Sequence, residues 1–202
     1  MRLKSLLVLA LPYLLFFAGG SWADLYEWSV SSGGNGHFYE PVLVLAGIDW
    51  GHANSAAIAR GGYLATTTSA AENTFVYNLV SGNRDFWRWV GDYNAEGPWL
   101  GGYKDPATSD PEANWHWVTG EPWIYTNWVE IEPSGPELQN RLAFFGYYSR
   151  TGAEWNDVWS TNYPANGYIV ELDQNPVPVP RAALLGAIGL LYSGWRLRCK
   201  MT

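Results

Sequence analysis

EWNDVW, residues 154–159, places an amide and a carboxylate side by side between two tryptophans. Amide carbonyl and carboxylate oxygens are ligands that calcium accepts. Neighbouring residues of a strand point to opposite faces, so Asn156 and Asp157 reach one ion only if the backbone helps, for example through the main-chain carbonyl of Asp157. The stretch therefore raises the hypothesis of an ion site, which depends on the oxygens that the rest of the chain supplies.

The chain before this stretch has two halves of different character. In the first half, Ser69 is followed three residues later by Glu72 and then by an apolar stripe, which is the pattern of a capping box at a helix start. From Phe86 to Trp159 the chain is rich in Trp, Gly, Pro, Asp and Asn, which indicates loops joined by short strands. The predicted elements are helices at 48–62 and 69–80 and strands at 37–44, 63–66, 98–102, 114–118, 141–148 and 167–172.

Five further motifs accompany EWNDVW in a definite order. They are WLGGYKD (99–105), NWHWVTGEPW (114–123), TNW (126–128), EPSG (132–135) and GYIVEL (167–172). Together the six motifs resemble a C-type lectin-like domain. The resemblance implies an α+β fold with two helices, short and mostly antiparallel strands and a long ligand-binding loop. It also implies that the tryptophans at 115, 117 and 155 belong to the core.

The same resemblance implies a calcium site. Its ligands would be Glu132, Ser134, Gln139, Asn156 and Asp157. Ser134 stands where the family has asparagine, and Gln139 stands where an acidic residue is common, so two ligands are weaker than in the pattern. We therefore expect weak binding, roughly 10⁻⁴ to 10⁻³ M, as in other extracellular modules. In family members with the site formed, the proline of the triplet, here Pro133, follows a cis peptide bond.

The resemblance further implies carbohydrate binding at this loop. The ligand-binding residues would be Glu132, Ser134, Asn156, Asp157, Trp128 and Trp159. Trp128 and Trp159 could instead anchor the loop without contacting a sugar, because large amphipathic rings also serve that purpose. A second alternative keeps the fold but replaces the sugar by a protein or matrix ligand, since a fold does not determine function. An enzyme is not expected, because the chain between its ends has no GxSxG, HExxH or phosphate-loop motif.

Residues 1–23 have the pattern of a signal peptide. Arg2 and Lys4 precede a long apolar run, and Ser21-Trp22-Ala23 is a small-x-small cleavage pattern. A membrane anchor is the alternative. We expect cleavage after Ala23, because small residues end the run and polar sequence follows it.

Residues 175–202 are unlike the domain between 24 and 174. NPVPVP is followed by a short apolar segment and a basic end, which resembles the PEP-CTERM sorting signal of Gram-negative bacteria. Val177 to Pro180 match its Val-Pro-x-Pro box, although Val179 replaces the name-giving glutamate. The resemblance implies an exosortase and the secretion machinery as processing partners, transient membrane insertion of the C-terminal helix, and export to the envelope or exterior of cells that make exopolysaccharide. A retained inner-membrane anchor is the alternative.

Charge and cysteine content restrict the partners. Six of the twelve Lys and Arg lie in the two terminal segments, whereas all nineteen Asp and Glu lie at 24–174, which leaves that segment with a formal charge of −13. Such a charge repels nucleic acid. The single cysteine, Cys199, lies in the tail, so residues 24–174 have no disulfide. Val170 and Ser160 stand where the resembled family has cysteines, and we expect tryptophan packing or metal to hold the loop instead.

Overall fold

The computed structural model describes residues 24–91, 94–104, 110–135, 138–148, 150–159 and 164–176. Within these ranges the chain forms a nine-stranded sheet and two α-helices, which confirms the predicted α+β class. The elements are β1 (Tyr26–Glu27), β2 (Phe38–Ile48), α1 (Trp50–Ala59), β3 (Tyr63–Leu64), α2 (Ala70–Ser81), β4 (Arg88–Val90), β5 (Asn94–Lys104), β6 (Trp115–Trp117), β7 (Gln139–Tyr147), β8 (Arg150–Trp159) and β9 (Ala165–Leu172), with single 3₁₀ turns at Val30–Ser32 and Arg84–Phe86.

Helix α1 lies within the predicted range. Asp49 caps its N-terminus by accepting a hydrogen bond from the backbone N–H of His52 at 2.9 Å, which satisfies one of the free donors of the first turn. At the other end Gly61 has a φ of 81°, a left-handed conformation that glycine adopts without a steric cost. The helix turns three small or aromatic residues, Trp50, Ala53 and Ala57, toward the core.

Helix α2 has half of the predicted capping box. The Ser69 side chain accepts from the backbone N–H of Glu72 at 3.2 Å, as predicted. The Glu72 carboxylate, however, accepts from the backbone N–H of Thr68 at 2.7 Å and from the Tyr39 hydroxyl at 2.8 Å. Ser69 is therefore the N-cap as predicted, whereas the Glu72 carboxylate is held by the Thr68 N–H and by the buried hydroxyl of Tyr39 on β2.

The strand order of the sheet is β1-β2-β9-β5-β7-β8. Strand β3 pairs with β9, while β4 and β6 pair with β5. Strands β5 and β9 are parallel where Trp99 faces Tyr168, and the remaining pairs between described strands are antiparallel. Each strand that the sequence predicts is present, with ends that differ by up to four residues from the expected positions. Strands β5, β7 and β8 lie side by side in the sheet.

Strand β5 is longer than the sequence predicts. Residues 94–96 pair with Tyr147, Gly146 and Phe145 of β7, and the register then shifts before Trp99. The shift falls at Gly97-Pro98, because proline cannot donate to the ladder and is tolerated in a strand mainly at such irregularities. A Cβ on Gly97 would lie 2.7 Å from side-chain atoms of neighbouring aromatic residues, so this close approach requires glycine. As a result Glu96 lies on the sheet opposite Phe145.

Tryptophans fill the core under the connection between β6 and β7. This connection, residues 118–138, is called the long loop below. Trp115, Trp117 and Trp155 are 3%, 1% and 0% exposed, which confirms their predicted core position. Partly buried rings of the long loop pack against them: Trp123, Tyr125 and Trp128. Each buried aromatic removes on the order of 150–250 Å² from water, so this cluster stabilises a region that has little regular structure.

Backbone hydrogen bonds also tie the long loop to β8. Trp155 donates its backbone N–H to the Asn127 carbonyl at 2.8 Å, and Val129 donates to the Trp155 carbonyl at 3.1 Å. The Asn127 side chain donates to the Ala153 carbonyl at 2.7 Å. The loop is therefore attached to the strand that carries the opening motif, in a chain whose only cysteine is Cys199.

Within the described ranges, none of the helices has the length and apolar composition needed to cross a membrane. The signal peptide at 1–23 lies outside the described residues, as does the sorting signal apart from its first two residues. Both stay predictions from the sequence.

Candidate functional site

Strand β8 presents Trp155, Asn156 and Asp157 to different surroundings. Trp155 is fully buried among the rings of the long loop, and its indole N–H donates to Asn73 Oδ1 of α2 at 2.7 Å. Asp157 is also fully buried and faces the loop at Ser134 and Gly135. Asn156 instead points toward β5, in agreement with strand alternation.

The Asp157 carboxylate holds the end of the long loop. It accepts the backbone N–H of Gly135 at 3.0 Å and that of Ser134 at 3.3 Å. The Ser134 N–H also donates to Glu132 Oε2 at 2.6 Å, and the Glu132–Pro133 peptide bond is cis, as the resemblance implies. Ser134 thus contributes its backbone N–H here, and its exposed side chain is not among the groups that contact Asp157.

Glu132 and Asp157 are electrostatically linked. Burial raises the pKa of Asp157 to about 7, and both a hydrogen bond with Glu132 and the charge of Glu132 act in the same direction. The backbone N–H groups of Gly135 and Ser134 oppose this increase, because they stabilise the ionised form. The neighbouring Glu132 therefore favours the protonated form of Asp157.

Glu96 is a fourth polar side chain of the site, and the sequence did not identify it. Asn156 Nδ2 donates to Glu96 Oε1 at 3.4 Å, which is long for a hydrogen bond. Burial raises the pKa of Glu96 to about 7, with Glu132 and Asp157 adding their charges. Glu96 lies outside the lectin-like motifs, and Gly97-Pro98 beside it predicts a turn. The sequence feature that could have identified Glu96 is a carboxylate three residues before Trp99 in an otherwise uncharged stretch.

A cavity of about 530 Å³ lies between the long loop and the sheet. It is called the loop cavity below. It brings together residues from β5, β7, β8 and the long loop: Asn94, Glu96, Ile131, Glu132, Gln139, Phe145, Tyr147, Tyr148 and Asn156. One part of the lining is amide and carboxylate, and another part is aromatic. Its volume is within the range of about 300–1,000 Å³ that is typical of small-molecule sites.

The other predicted site residues have mixed positions. Gln139 lines the loop cavity, and its side-chain oxygen lies next to Gly135, where an added Cβ would meet Gln139 Oε1 and Asp157 Oδ2 at 2.2 and 2.6 Å. Trp128 packs within the tryptophan cluster, with its ring centroid 4.9 Å from that of Trp115 and the two rings tilted by 58°, which favours the loop-anchoring alternative. Trp159 is 39% exposed at the end of β8 and is not part of the cavity lining.

The donor atoms around the loop cavity fit calcium better than a softer metal. No three side chains of the His, Cys, Asp or Glu type converge as a ready-made metal cluster in the described ranges. Glu96 Oε2 and Asn156 Oδ1, however, are buried oxygens that lack a hydrogen-bond partner in the described part of the chain. Buried oxygens without donors require a cation, a proton or water. The residues that would hold the ion are Glu96, Glu132, Gln139 and Asn156, all of which offer oxygen.

Comparison with known proteins gives a fold rather than a ligand. No protein-family model matches the chain. A Perlucin-like protein of Mytilus galloprovincialis is 26% identical over 136 residues, which are 67% of this chain and 74% of that protein. Human lithostathine has a TM-score of 0.52 at 19% identity, with 68% of this chain and 92% of that chain covered.

Two further solved structures resemble the chain to the same extent. Herring type II antifreeze protein has a TM-score of 0.51 at 21% identity and covers 69% of this chain and 92% of its own. The complex of SPL-1 with GlcNAc has a TM-score of 0.51 at 18% identity and covers 70% of this chain and 90% of its own. The two helices, the mixed sheet, the long loop attached to β8 and these likenesses together show that the chain has the C-type lectin-like fold.

Proposed function

We propose that the chain is an exported carbohydrate-binding module and that the loop cavity is its glycan site. The observation that carries the proposal is the two-sided lining of the cavity, in which exposed aromatic rings stand beside buried amide and carboxylate groups. A sugar ring has the matching chemistry, because it presents C–H groups on its face and hydroxyl groups around its rim.

The aromatic side of the cavity is formed at the end of β7. Phe145 and Tyr147 stack with ring centroids 6.3 Å apart and an interplanar angle of 23°, and Tyr148 packs edge-on against Tyr147. Tyr147 and Tyr148 are 45% and 62% exposed. Tyr148 also has a φ of 50°, which is uncommon for a bulky residue and is a backbone state that concentrates at binding sites.

The polar side provides directional hydrogen bonds. Asn94, Gln139 and Asn156 have amides that both donate and accept, and Glu96 and Glu132 have carboxylates that accept from hydroxyl groups. A few placed polar groups in a partly apolar pocket are what fix the orientation of a small ligand. The negative charge of the domain favours neutral saccharides over anionic ones.

Calcium supports this site in the proposal. The unpartnered oxygens of Glu96 and Asn156 and the carboxylate of Glu132 provide the oxygen ligands that the ion requires. When bound, the ion would neutralise the carboxylates and would supply a positive charge that attracts sugar hydroxyls. The protein residues position the ion and exclude water from the buried side.

Two additional observations fit the proposal. SPL-1, which has the same fold, was solved with GlcNAc. The sorting-signal resemblance at 175–202 points to exopolysaccharide of the producing cell as the target, with the envelope or exterior as the location. The predicted signal peptide at 1–23 is consistent with export.

A binding titration tests the proposal. The purified protein is titrated with neutral saccharides and with exopolysaccharide fragments, in calcium and in EDTA. We expect saturable binding that Tyr147→Ala weakens roughly 2- to 10-fold, since one aromatic contact contributes about 0.5–1.5 kcal/mol. Tyr26→Ala is the matched control, because Tyr26 is 40% exposed on β1, which is not part of the cavity lining. Absence of saccharide binding together with binding to envelope proteins would replace this proposal by the protein-interaction alternative.

A further inference from the structure

A second cavity adjoins the loop cavity at the hairpin that β7 and β8 form. It has a volume of about 310 Å³ and is called the hairpin pocket below. Its lining includes Phe145 and Tyr147 of β7 together with Arg150, Thr151, Gly152 and Glu154 of β8. The two residues of β7 also line the loop cavity, so the two cavities share one aromatic wall. Tyr147 is 45% exposed, so a ligand that covers its ring can reach both cavities.

An irregularity in the strand pairing opens the hairpin pocket. Between two paired positions, Phe145 of β7 faces three residues of β8, 152–154, instead of one. Bulges of this kind bend a strand, redirect its side chains and are frequent beside binding sites. A Cβ on Gly152 would lie 2.9 Å from the Phe145 carbonyl oxygen, so glycine allows the two strands to approach and leaves the floor of the pocket open.

Helix α2 and the long loop hold the backbone of this bulge. The Tyr77 hydroxyl donates to the Thr151 carbonyl at 3.0 Å. Two amides, Asn73 Nδ2 of α2 and Asn127 Nδ2 of the long loop, donate to the Ala153 carbonyl at 2.9 and 2.7 Å. The bulge is therefore braced by the protein itself, and a ligand meets a preformed surface whose ordering does not reduce affinity.

Two opposite charges line the hairpin pocket without pairing. Arg150 and Glu154 are exposed, and in the part of the chain that the structure describes neither side chain forms an ion pair or a hydrogen bond. A guanidinium group only donates hydrogen bonds and a carboxylate only accepts them, whereas a sugar hydroxyl does both. The two charges also offset each other, so the pocket suits a neutral ligand with several hydroxyl groups.

We propose that the hairpin pocket is a second sugar subsite and that the protein binds a neutral oligosaccharide of at least two residues across the Tyr147 ring. One sugar occupies the loop cavity, and the next lies in the hairpin pocket, where Arg150 donates to its hydroxyl groups and Glu154 accepts from them. This inference rests on the proposed function and specifies its ligand as a stretch of glycan chain rather than a single sugar.

The competing interpretation is that the hairpin pocket is a surface feature of the hairpin without a ligand. Arg150 and Glu154 then stay solvated and do not affect the affinity for a saccharide of any length. The two interpretations differ in how affinity depends on chain length, because a second subsite adds affinity only for ligands long enough to reach it.

The test is a calorimetric titration of the purified protein with the mono-, di- and trisaccharides of glucose, mannose and N-acetylglucosamine. In the wild type, we expect the longer members of the series that binds to have about tenfold higher affinity than its monosaccharide, since hydrogen bonds to charged groups are the stronger ones. In Arg150→Gln and in Glu154→Gln, this gain should fall to about threefold or less, while the affinity for the monosaccharide stays within about twofold of the wild type. An undiminished gain in both variants would overturn the proposal.

Matched controls separate a subsite from a general effect of charge. Arg84→Gln and Glu27→Gln remove the same charges at exposed positions that are not part of either cavity lining, and both should behave as the wild type. Because Arg150 and Glu154 are also exposed, their replacement should leave the unfolding temperature nearly unchanged, which thermal melts check. An equal loss of chain-length gain in the control variants would overturn the assignment to the hairpin pocket.

The same titrations distinguish this inference from the proposed function. Saccharide binding with equal affinity for every chain length would reject the second subsite and leave the glycan site in the loop cavity in place. Absence of binding for every saccharide in the panel would reject both.

Discussion

Replacing Trp155 by phenylalanine tests whether tryptophan packing holds the long loop. Trp155 is fully buried, and its ring centroid lies 5.5–5.8 Å from those of Trp117, Trp123, Tyr125 and Trp128. Phenylalanine keeps one aromatic ring in the cluster but removes the indole N–H and the volume of the second ring.

The expected loss has two parts. The missing ring atoms leave a small cavity among four aromatic neighbours, which costs about 1–2 kcal/mol, less than the 3–5 kcal/mol of a full truncation to alanine. The indole N–H donates to Asn73 Oδ1 at 2.7 Å, and Asn73 is 1% exposed, so its oxygen is left unpaired at a cost of about 1–3 kcal/mol. The free energy of unfolding should fall by about 3 kcal/mol, or roughly 6–12 °C in Tm for a domain of this size.

Urea unfolding followed by far-UV circular dichroism measures this change. Trp159→Phe is the matched control, because Trp159 lies on the same strand but is 39% exposed, and its substitution should change stability by less than about 0.5 kcal/mol. Equal stability of Trp155→Phe and Trp159→Phe would refute the reasoning that the cluster anchors the loop.

Three further predictions concern the caps, the carboxylates and the loop turn. Ser69→Ala should lower the free energy of unfolding by about 1 kcal/mol in urea titrations, because the Glu72 N–H loses its cap. In EDTA, the free energy of unfolding should decrease as the pH rises from about 4.5 to about 7. Glu96 and Asp157 have pKa values raised to about 7, so over this range the folded state binds more protons than the unfolded state. A free energy of unfolding that increases with pH over this range would contradict the assignment. Gly135→Ala should cost about 1–3 kcal/mol in thermal melts, because its Cβ would lie 2.6 Å from Asp157 Oδ2.

Local patterns were sufficient to predict much of the fold. Ser69 caps α2 through a short-range side-chain bond, and the alternation along β8 separates Asn156 from Asp157. Such features depend on neighbours within four residues, which the sequence displays directly. The burial of Trp155 was likewise predictable from the motif order.

Contacts between distant strands were not predictable in the same way. Glu96 meets Asn156 only because β5 continues through the irregularity at Gly97-Pro98 and pairs with β7. The carboxylate of Glu72 bonds to Tyr39, 33 positions earlier in the chain, instead of closing its own capping box. In both cases the local sequence permits more than one outcome, a turn or a continued strand at Gly97-Pro98 and a local or a distant partner for Glu72, and tertiary packing determines which one forms.

A crystal structure of the protein grown with millimolar calcium and a saccharide that binds in solution tests the central claim most directly. The account predicts electron density for a sugar ring over Tyr147, with hydroxyl groups near Glu132 and Asn156 and an ion in contact with Glu96. A sugar bound at another surface while the loop cavity contains only water would contradict it.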